Sequence, residues 1–390
     1  MEISEMKELA IMKIMQASNL QEKEIIYAFF KEILADCRIF LFDQKCSNFG
    51  ESCKNKKIGA CWILGIGDYT QTWILGLNDD FNDKFIKVGK TIDFDLNILT
   101  YINKLMIGRK INIDIDDFIE YLNYLKREDF QIGITTATME RVKTNIDLNI
   151  YAEMIQSYVK LDNIKYVNRY IEDINLSECD YKRVKQIYDK SLKQIDDSIR
   201  QYDIICCCVM KAYLIKTFDE ETDKNKKVEK FIEYCLNEIN CYLEKEIIIL
   251  SLYIQDDYRT NRAFKKIKNN EDVIKNILNV TWDIYHIRLI EQIFLYDNLN
   301  KRDQIILSYF GTADKGLIDV MQINPVKAVI IIDNKLHVVH QMNIENVCKK
   351  QELLNNAYYN NHLREMKIKN INFSEMRKQL EFQILSKVCS

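Results

Sequence analysis

A single proline, ten glycines and four histidines in 390 residues set the first limits on this chain. So little Pro and Gly leaves no room for an interdomain linker, so any boundary falls in a short polar loop and the lobes pack closely. No apolar run reaches the roughly 18 residues needed to span a membrane, and the N-terminus "MEISEMKELAIMKIMQ" reads as a charged amphipathic helix, unlike a signal peptide. A cytoplasmic protein without a membrane partner is expected. There is no basic excess either. The formal net charge of -3 argues against coating nucleic acid by bulk charge and leaves only a locally basic groove open. The twelve cysteines contain no CxxC pair: Cys46, Cys53 and Cys61 are separated by six and seven residues, and Cys206, Cys207 and Cys208 form one apolar run. Reduced thiols acting as small buried hydrophobes fit this better than zinc ligands or disulfides.

What the chain does have is length and apolar mass, with 47% hydrophobic residues, enough for two or three lobes. Residues 1 to 36 repeat apolar positions at helical spacing, with Asn19 as a turn between two helices. "CRIFLFD", "GACWILGIGD" and "TWILGLND" then read as strands, with a hairpin around Asp68 to Gln71. Residues 1–88 therefore predict an N-terminal α+β lobe. From residue 89 the rhythm is strand, helix, helix, strand, helix, in "KVGKTIDFDLNILTYINKLM", "IDDFIEYLNYLKRED" and "FQIGITTATMERVK". That alternation marks a parallel sheet with helical crossovers. Residues 150–278 are helical by period and read as an insertion. The α/β rhythm returns over 279–345, and 346–390 form a C-terminal helical segment. The expected fold is α/β: an α/β/α domain with a central parallel sheet, split into 89–149 and 279–345.

Four acids occupy equivalent places in this scheme. Asp95 follows the strand in "TIDFDLNIL", Glu140 opens a helix in "ITTATMER", Asp283 falls in a first helical turn in "TWDIYHIRLIEQ", and Asp314 follows the strand in "SYFGTADKG". Parallel strands would bring all four to one sheet edge. Crowded carboxylates raise one another's pKa unless a hard divalent cation neutralises them, which implies Mg²⁺ or Mn²⁺.

These motifs resemble the PIN-domain nucleases: Asp95-Leu96-Asn97 after an apolar strand, Glu140 at a helix, Asp283 near a helix start, and Thr312-Ala313-Asp314 after an aromatic strand. The likeness covers residues 89 to 148 and 279 to 335. It implies metal-dependent cleavage of phosphodiester bonds, usually in RNA, with Asp95, Glu140, Asp283 and Asp314 as metal ligands and catalytic acids. Asp93, Asn97, Thr312 and His286 take supporting places. The family also implies a toxin or phage-defence setting and an inhibitory or activating protein partner. An N-terminal lobe and a long helical insertion depart from a minimal PIN domain.

Blander readings stand beside these. Asp283 with Thr281 could be a helix cap, Asp314 a turn residue, and Glu153 could replace Glu140. His286 could be a hydrogen-bonded core histidine, and His337 and His340 point to opposite strand faces. "DDYRTNRAFKKIKNN" offers Arg259, Arg262, Lys265 and Lys266 for phosphates and Tyr258 and Phe264 for stacking on bases. Two alternatives remain. "DFDLN" with Thr135 or Thr136, Asp314 and Asp319 resembles haloacid-dehalogenase-like phosphatases, with Asp93 as nucleophile. A helical interaction scaffold would leave the four acids scattered or each paired with Lys or Arg.

Overall fold

The structure, a computed structural model, describes residues 3–76, 87–143, 147–169, 174–299, 304–333 and 335–388. Nine strands are present among these residues: β1 (Arg38–Leu41), β2 (Lys56–Ile58), β3 (Cys61–Gly65), β4 (Trp73–Leu75), β5 (Lys87–Phe94), β6 (Phe130–Gly133), β7 (Gln304–Thr312), β8 (Val326–Ile332) and β9 (Lys335–His340). They form two sheets, ordered β2-β3-β7-β5-β6 and β4-β1-β8-β9. The protein is mixed α/β.

The expected parallel sheet is present as three strands, with β5 parallel to both β6 and β7. It is extended on one side by antiparallel strands, β3 against β7 and β2 against β3. The reversal between β2 and β3 uses Gly59 at φ +54°, a left-handed conformation that Gly adopts without strain. From β5 the chain crosses through helices Leu96–Met106 and Ile115–Arg127 to reach β6 on one side. β7 then occupies the other side of β5. A crevice therefore opens beyond the carboxyl end of β5, where ligands collect in such sheets. β7 is buried along nearly all its length, which explains its unbroken apolar run. At Gly311 it passes so close to helix Ile115–Arg127 that a Cβ would lie 2.4 Å from the Tyr121 hydroxyl.

The N-terminal strands do not make a lobe of their own. β1 pairs with β4 and β8, and β3 pairs with β7, so residues 38–75 are divided between both sheets. The hairpin expected around Asp68 to Gln71 is instead a 3₁₀ turn, Tyr69–Gln71, capped by Asp68 and passing from one sheet to the other. The strand expected over "TWILGLND" ends at Leu75, and residues 77–86 lie outside the described residues. β8 and β9 are two antiparallel strands.

The helical segment contains Leu148–Asn163, the 41-residue Glu178–Phe218, Lys224–Asn237 and Glu244–Ile254. Ser177 and Asp180 form a capping box at the start of the long helix, satisfying its first N–H groups. This helix packs against Thr135–Lys143, Val273–Asn298 and Phe373–Val388. Its buried "ICCCVM" run joins the same hydrophobic core as β5 and β7. The insertion is thus built into the domain. The described cysteines are free thiols, and Cys389 lies outside the described residues. The expected C-terminal helical segment consists of Gln351–Tyr359 and Asn361–Ile368, parted by Asn360 (φ -100°, ψ 22°), and Phe373–Val388. Among the described residues no helix is long and apolar enough to cross a membrane.

Candidate active site

Asp95 takes its position from the turn between β5 and the next helix. It is the N-cap of Leu96–Met106, and its Oδ1 accepts from the Ile98 backbone N–H at 2.7 Å. Its other oxygen accepts from Thr312 Oγ1 at 2.6 Å, and its own N–H donates to Gly311 carbonyl at 3.0 Å. β5 and β7 are therefore tied together at their carboxyl ends through this residue. Asp314, two residues beyond β7, caps helix Lys315–Ile323 by accepting from Gly316 N–H at 2.7 Å. Both acids were expected after strands, and both are there.

Glu140 and Asp283 reach the same place from helices, though not from helix starts. Glu140 is the sixth residue of Thr135–Lys143. Asp283 lies deep inside Val273–Asn298, because the helix begins ten residues earlier. Thr281 is no cap: its hydroxyl donates to Ile277 carbonyl at 2.8 Å, the mid-helix habit of threonine.

All four acids line one cavity of about 230 Å³, with Asn97, Lys266, Asn279, Trp282 and His286 also in its wall. Burial pushes Asp95 up to about 7, with Asp314 and Asp283 adding to the rise against hydrogen bonds from Thr312 and Ile98. Burial pushes Glu140 up to about 8, reinforced by Asp95, Asp283 and Asp314 and opposed by Lys266. Asp283 rises to about 6 by burial, held back by the Lys266 ammonium 2.7 Å from its Oδ2. Among the described lining residues only Lys266 is a fixed cation, set against four carboxylates.

His286, one turn beyond Asp283, is 3% exposed, and burial lowers its pKa to about 3. Its Nε2 stands 3.5 Å from Glu140 Oε2. A neutral imidazole at that distance makes neither an ion pair nor a hydrogen bond, and neither ring nitrogen has a hydrogen-bond partner. It is therefore not the hydrogen-bonded core histidine that sequence favoured.

Several expectations are corrected. Asp93 does not line the cavity: its oxygens accept from Thr135 N–H (2.9 Å), Thr136 N–H (2.8 Å) and Thr136 Oγ1 (2.6 Å), so it pins β5 to the start of the neighbouring helix. Glu153 accepts from Asn103 Nδ2 at 3.2 Å and is likewise not in the cavity wall. Phe264 is buried and stacked on Tyr253, with ring centroids 4.4 Å apart, so it cannot stack on bases. Arg259 forms a two-pronged pair with Asp257, and Arg262 pairs with Asp319 at 3.0 Å. These two arginines and the exposed Tyr258 line a separate cleft of about 300 Å³. Lys265 is exposed. His337 sits on β9, whereas His340 Nε2 lies 3.2 Å from Glu291.

Lys266, expected to face nucleic acid, reaches into the acid cavity. Asn279 and Trp282 were not anticipated, although Asn279 lies one helical turn before Asp283 and the period alone could have found it. A larger cleft of about 620 Å³ has one carboxylate in its wall, Asp297, already accepting from Thr91 and Ser308 hydroxyls at 3.0 Å.

Four carboxylate groups, buried at Asp95 and Asp283 and half-buried at Glu140 and Asp314, form a hard-oxygen donor set, and together with two orphaned imidazole nitrogens they suit a divalent cation. As they stand, no group of three His, Cys, Asp or Glu side chains among the described residues has the spacing to hold one ion. An ion would have to draw these side chains closer. No family profile, curated protein or solved structure matches the chain.

Proposed function

We propose that the chain is a metal-dependent nuclease that hydrolyses phosphodiester bonds, most readily in RNA, at the cavity of Asp95, Glu140, Asp283 and Asp314. The observation that carries this reading is their convergence: four acids from two strand ends and two helices line one cavity at the carboxyl edge of a parallel sheet. The resemblance to PIN-domain nucleases gives the same four residues the same task, and RNA as substrate follows from it.

When bound, Mg²⁺ or Mn²⁺ supplies Lewis-acid polarisation of a phosphate and a lowered pKa for an attacking water. Asp95, Asp283, Glu140 and Asp314 would hold it. Asp95 is oriented for this by Thr312 and the Ile98 N–H, each of which leaves a lone pair on the oxygen it binds. The Asn97 and Asn279 amides and the Lys266 ammonium are the donors in the cavity wall able to meet phosphate oxygens. Tyr258 and Arg262, which line a separate cleft with Asp319 and Gln322 of helix Lys315–Ile323, would guide a strand. A phosphatase using Asp93 as nucleophile is disfavoured, because that carboxylate is enclosed by threonine N–H and O–H groups.

The test is cleavage of labelled single-stranded RNA and DNA by the purified chain in Mn²⁺, in EDTA, and with Asp95→Asn and Asp314→Asn. Metal-dependent cutting lost in both folded variants is expected. Cutting that survives both substitutions, or none by the wild type in any metal, would sink the assignment.

A further inference from the structure

His286 stands out in the cavity wall because it is the one residue among the described lining residues with an imidazole lone-pair nitrogen. Its ring is held between Trp282 and Phe310, with centroids 5.6 Å from each. Buried polar atoms in native proteins nearly always find a partner, yet neither of its nitrogens has one. Nε2 is 3.5 Å from Glu140 Oε2. That distance is too long for a hydrogen bond and has another meaning. Two donors each about 2.1 Å from one ion stand about 3.0 Å apart at a right angle and about 3.4 Å apart at the tetrahedral angle. The imidazole nitrogen and the glutamate oxygen are already near the separation of two ligands on one centre.

We propose that His286 is a nitrogen ligand, paired through Nε2 with Glu140, and that the site takes a first-row transition dication such as Mn²⁺ in preference to Mg²⁺. The inference rests on the metal-dependent reading of the acid cavity. Mg²⁺ keeps oxygen ligands and several of its waters, whereas a mixed imidazole and carboxylate set suits ions further along the transition series. Asp283, one helical turn before His286, and Asp95 and Asp314, which line the same cavity, are the sources of further oxygen ligands.

The experiment uses the full chain, Mn²⁺ as probe and Mg²⁺ as competitor. Binding is followed by electron paramagnetic resonance and nitrogen contact by spin-echo modulation of bound Mn²⁺. In the wild type, ¹⁴N coupling should accompany bound Mn²⁺, and Mn²⁺ should bind at least about tenfold more tightly than Mg²⁺. In His286→Gln the coupling should vanish and Mn²⁺ affinity should fall about 10- to 100-fold, while Mg²⁺ affinity stays nearly constant. His286→Asn replaces the glutamine variant if circular dichroism shows that the latter does not fold. Mn²⁺ bound without nitrogen coupling, or coupling that persists in a folded His286 variant, overturns the role of His286 and leaves the acidic metal site standing. A wild type that binds neither ion overturns both.

Discussion

Thr312 Oγ1 donates to Asp95 Oδ2 at 2.6 Å and accepts from the Asp314 backbone N–H at 2.9 Å. One hydroxyl therefore sets the orientation of one cavity acid and the backbone of another, across 217 residues of sequence. Thr312→Val removes the donor and strands the Asp314 N–H. It should lower divalent-ion affinity and RNA cleavage about 10- to 100-fold while destabilising the fold by only about 1–3 kcal/mol. Thr312→Ser keeps the hydroxyl and should retain most of the activity. Equal losses in both variants, measured by ion titration and urea unfolding, would show that the methyl group matters rather than the hydrogen bonds.

Asp95 and Asp93 lie two residues apart on the same strand end and should respond in opposite ways. Asp93→Asn turns an amide N–H towards backbone N–H groups that now donate to a carboxylate. It should cost about 1–3 kcal/mol of stability and leave cleavage per folded molecule intact. Asp95→Asn should abolish cleavage at a smaller loss of stability. Paired urea melts and activity assays separate the two.

The pH dependence of stability follows from opposing shifts. Glu140, Asp95 and Asp283 are pushed up to about 8, 7 and 6. A carboxyl group raised in this way binds more protons folded than unfolded, so stability falls as pH rises from its ordinary value through its folded one. His286, lowered to about 3 from its ordinary 6.5, acts oppositely and adds stability as pH rises across that interval. Above pH 6.5 the histidine contribution is complete and the acids alone remain. In EDTA, Tm should therefore fall between pH 6.5 and 8. Glu140→Gln should flatten that slope, and added Mn²⁺ should reverse it. A rising Tm over the same window would contradict the assignment of buried, protonated acids.

Lys266 competes with any dication for Asp283, since its ammonium already occupies Oδ2 at 2.7 Å. Lys266→Met should tighten Mn²⁺ binding several-fold yet slow RNA cleavage, because a phosphate-facing donor is lost. Titration of Mn²⁺ alongside single-turnover cleavage checks both halves. Weaker Mn²⁺ binding in the variant would mean that Lys266 holds Asp283 in position rather than competing for it.

The acids at strand ends were legible because their signal is local: an apolar run stops, a polar cap follows, and a helix begins. Asp95 and Asp314 meet that pattern and cap their helices. Asp283 reaches the cavity from a place the sequence did not indicate, since Thr281-Trp282-Asp283 imitates a helix start inside a helix already ten residues long. Asp93 and Asp95 look alike in "DFDLN", and only the threonine N–H groups after β6, a non-local feature, divide their roles. The placing of Lys266 on Asp283 is also non-local and carried no sequence signal. The partition of the N-terminal strands was unreadable for a related reason, because strand pairing depends on partners more than two hundred residues away.

That partition has a consequence during synthesis. β1 leaves the ribosome long before its partner β8, and β3 must likewise wait for β7. Such long-range pairings make folding slow. Asp95 also lacks Thr312 until 217 further residues have been made, so a product that stops short of Thr312 cannot assemble the cavity. Whatever chemistry the cavity performs, a nascent chain that stops short of β7 cannot carry it out.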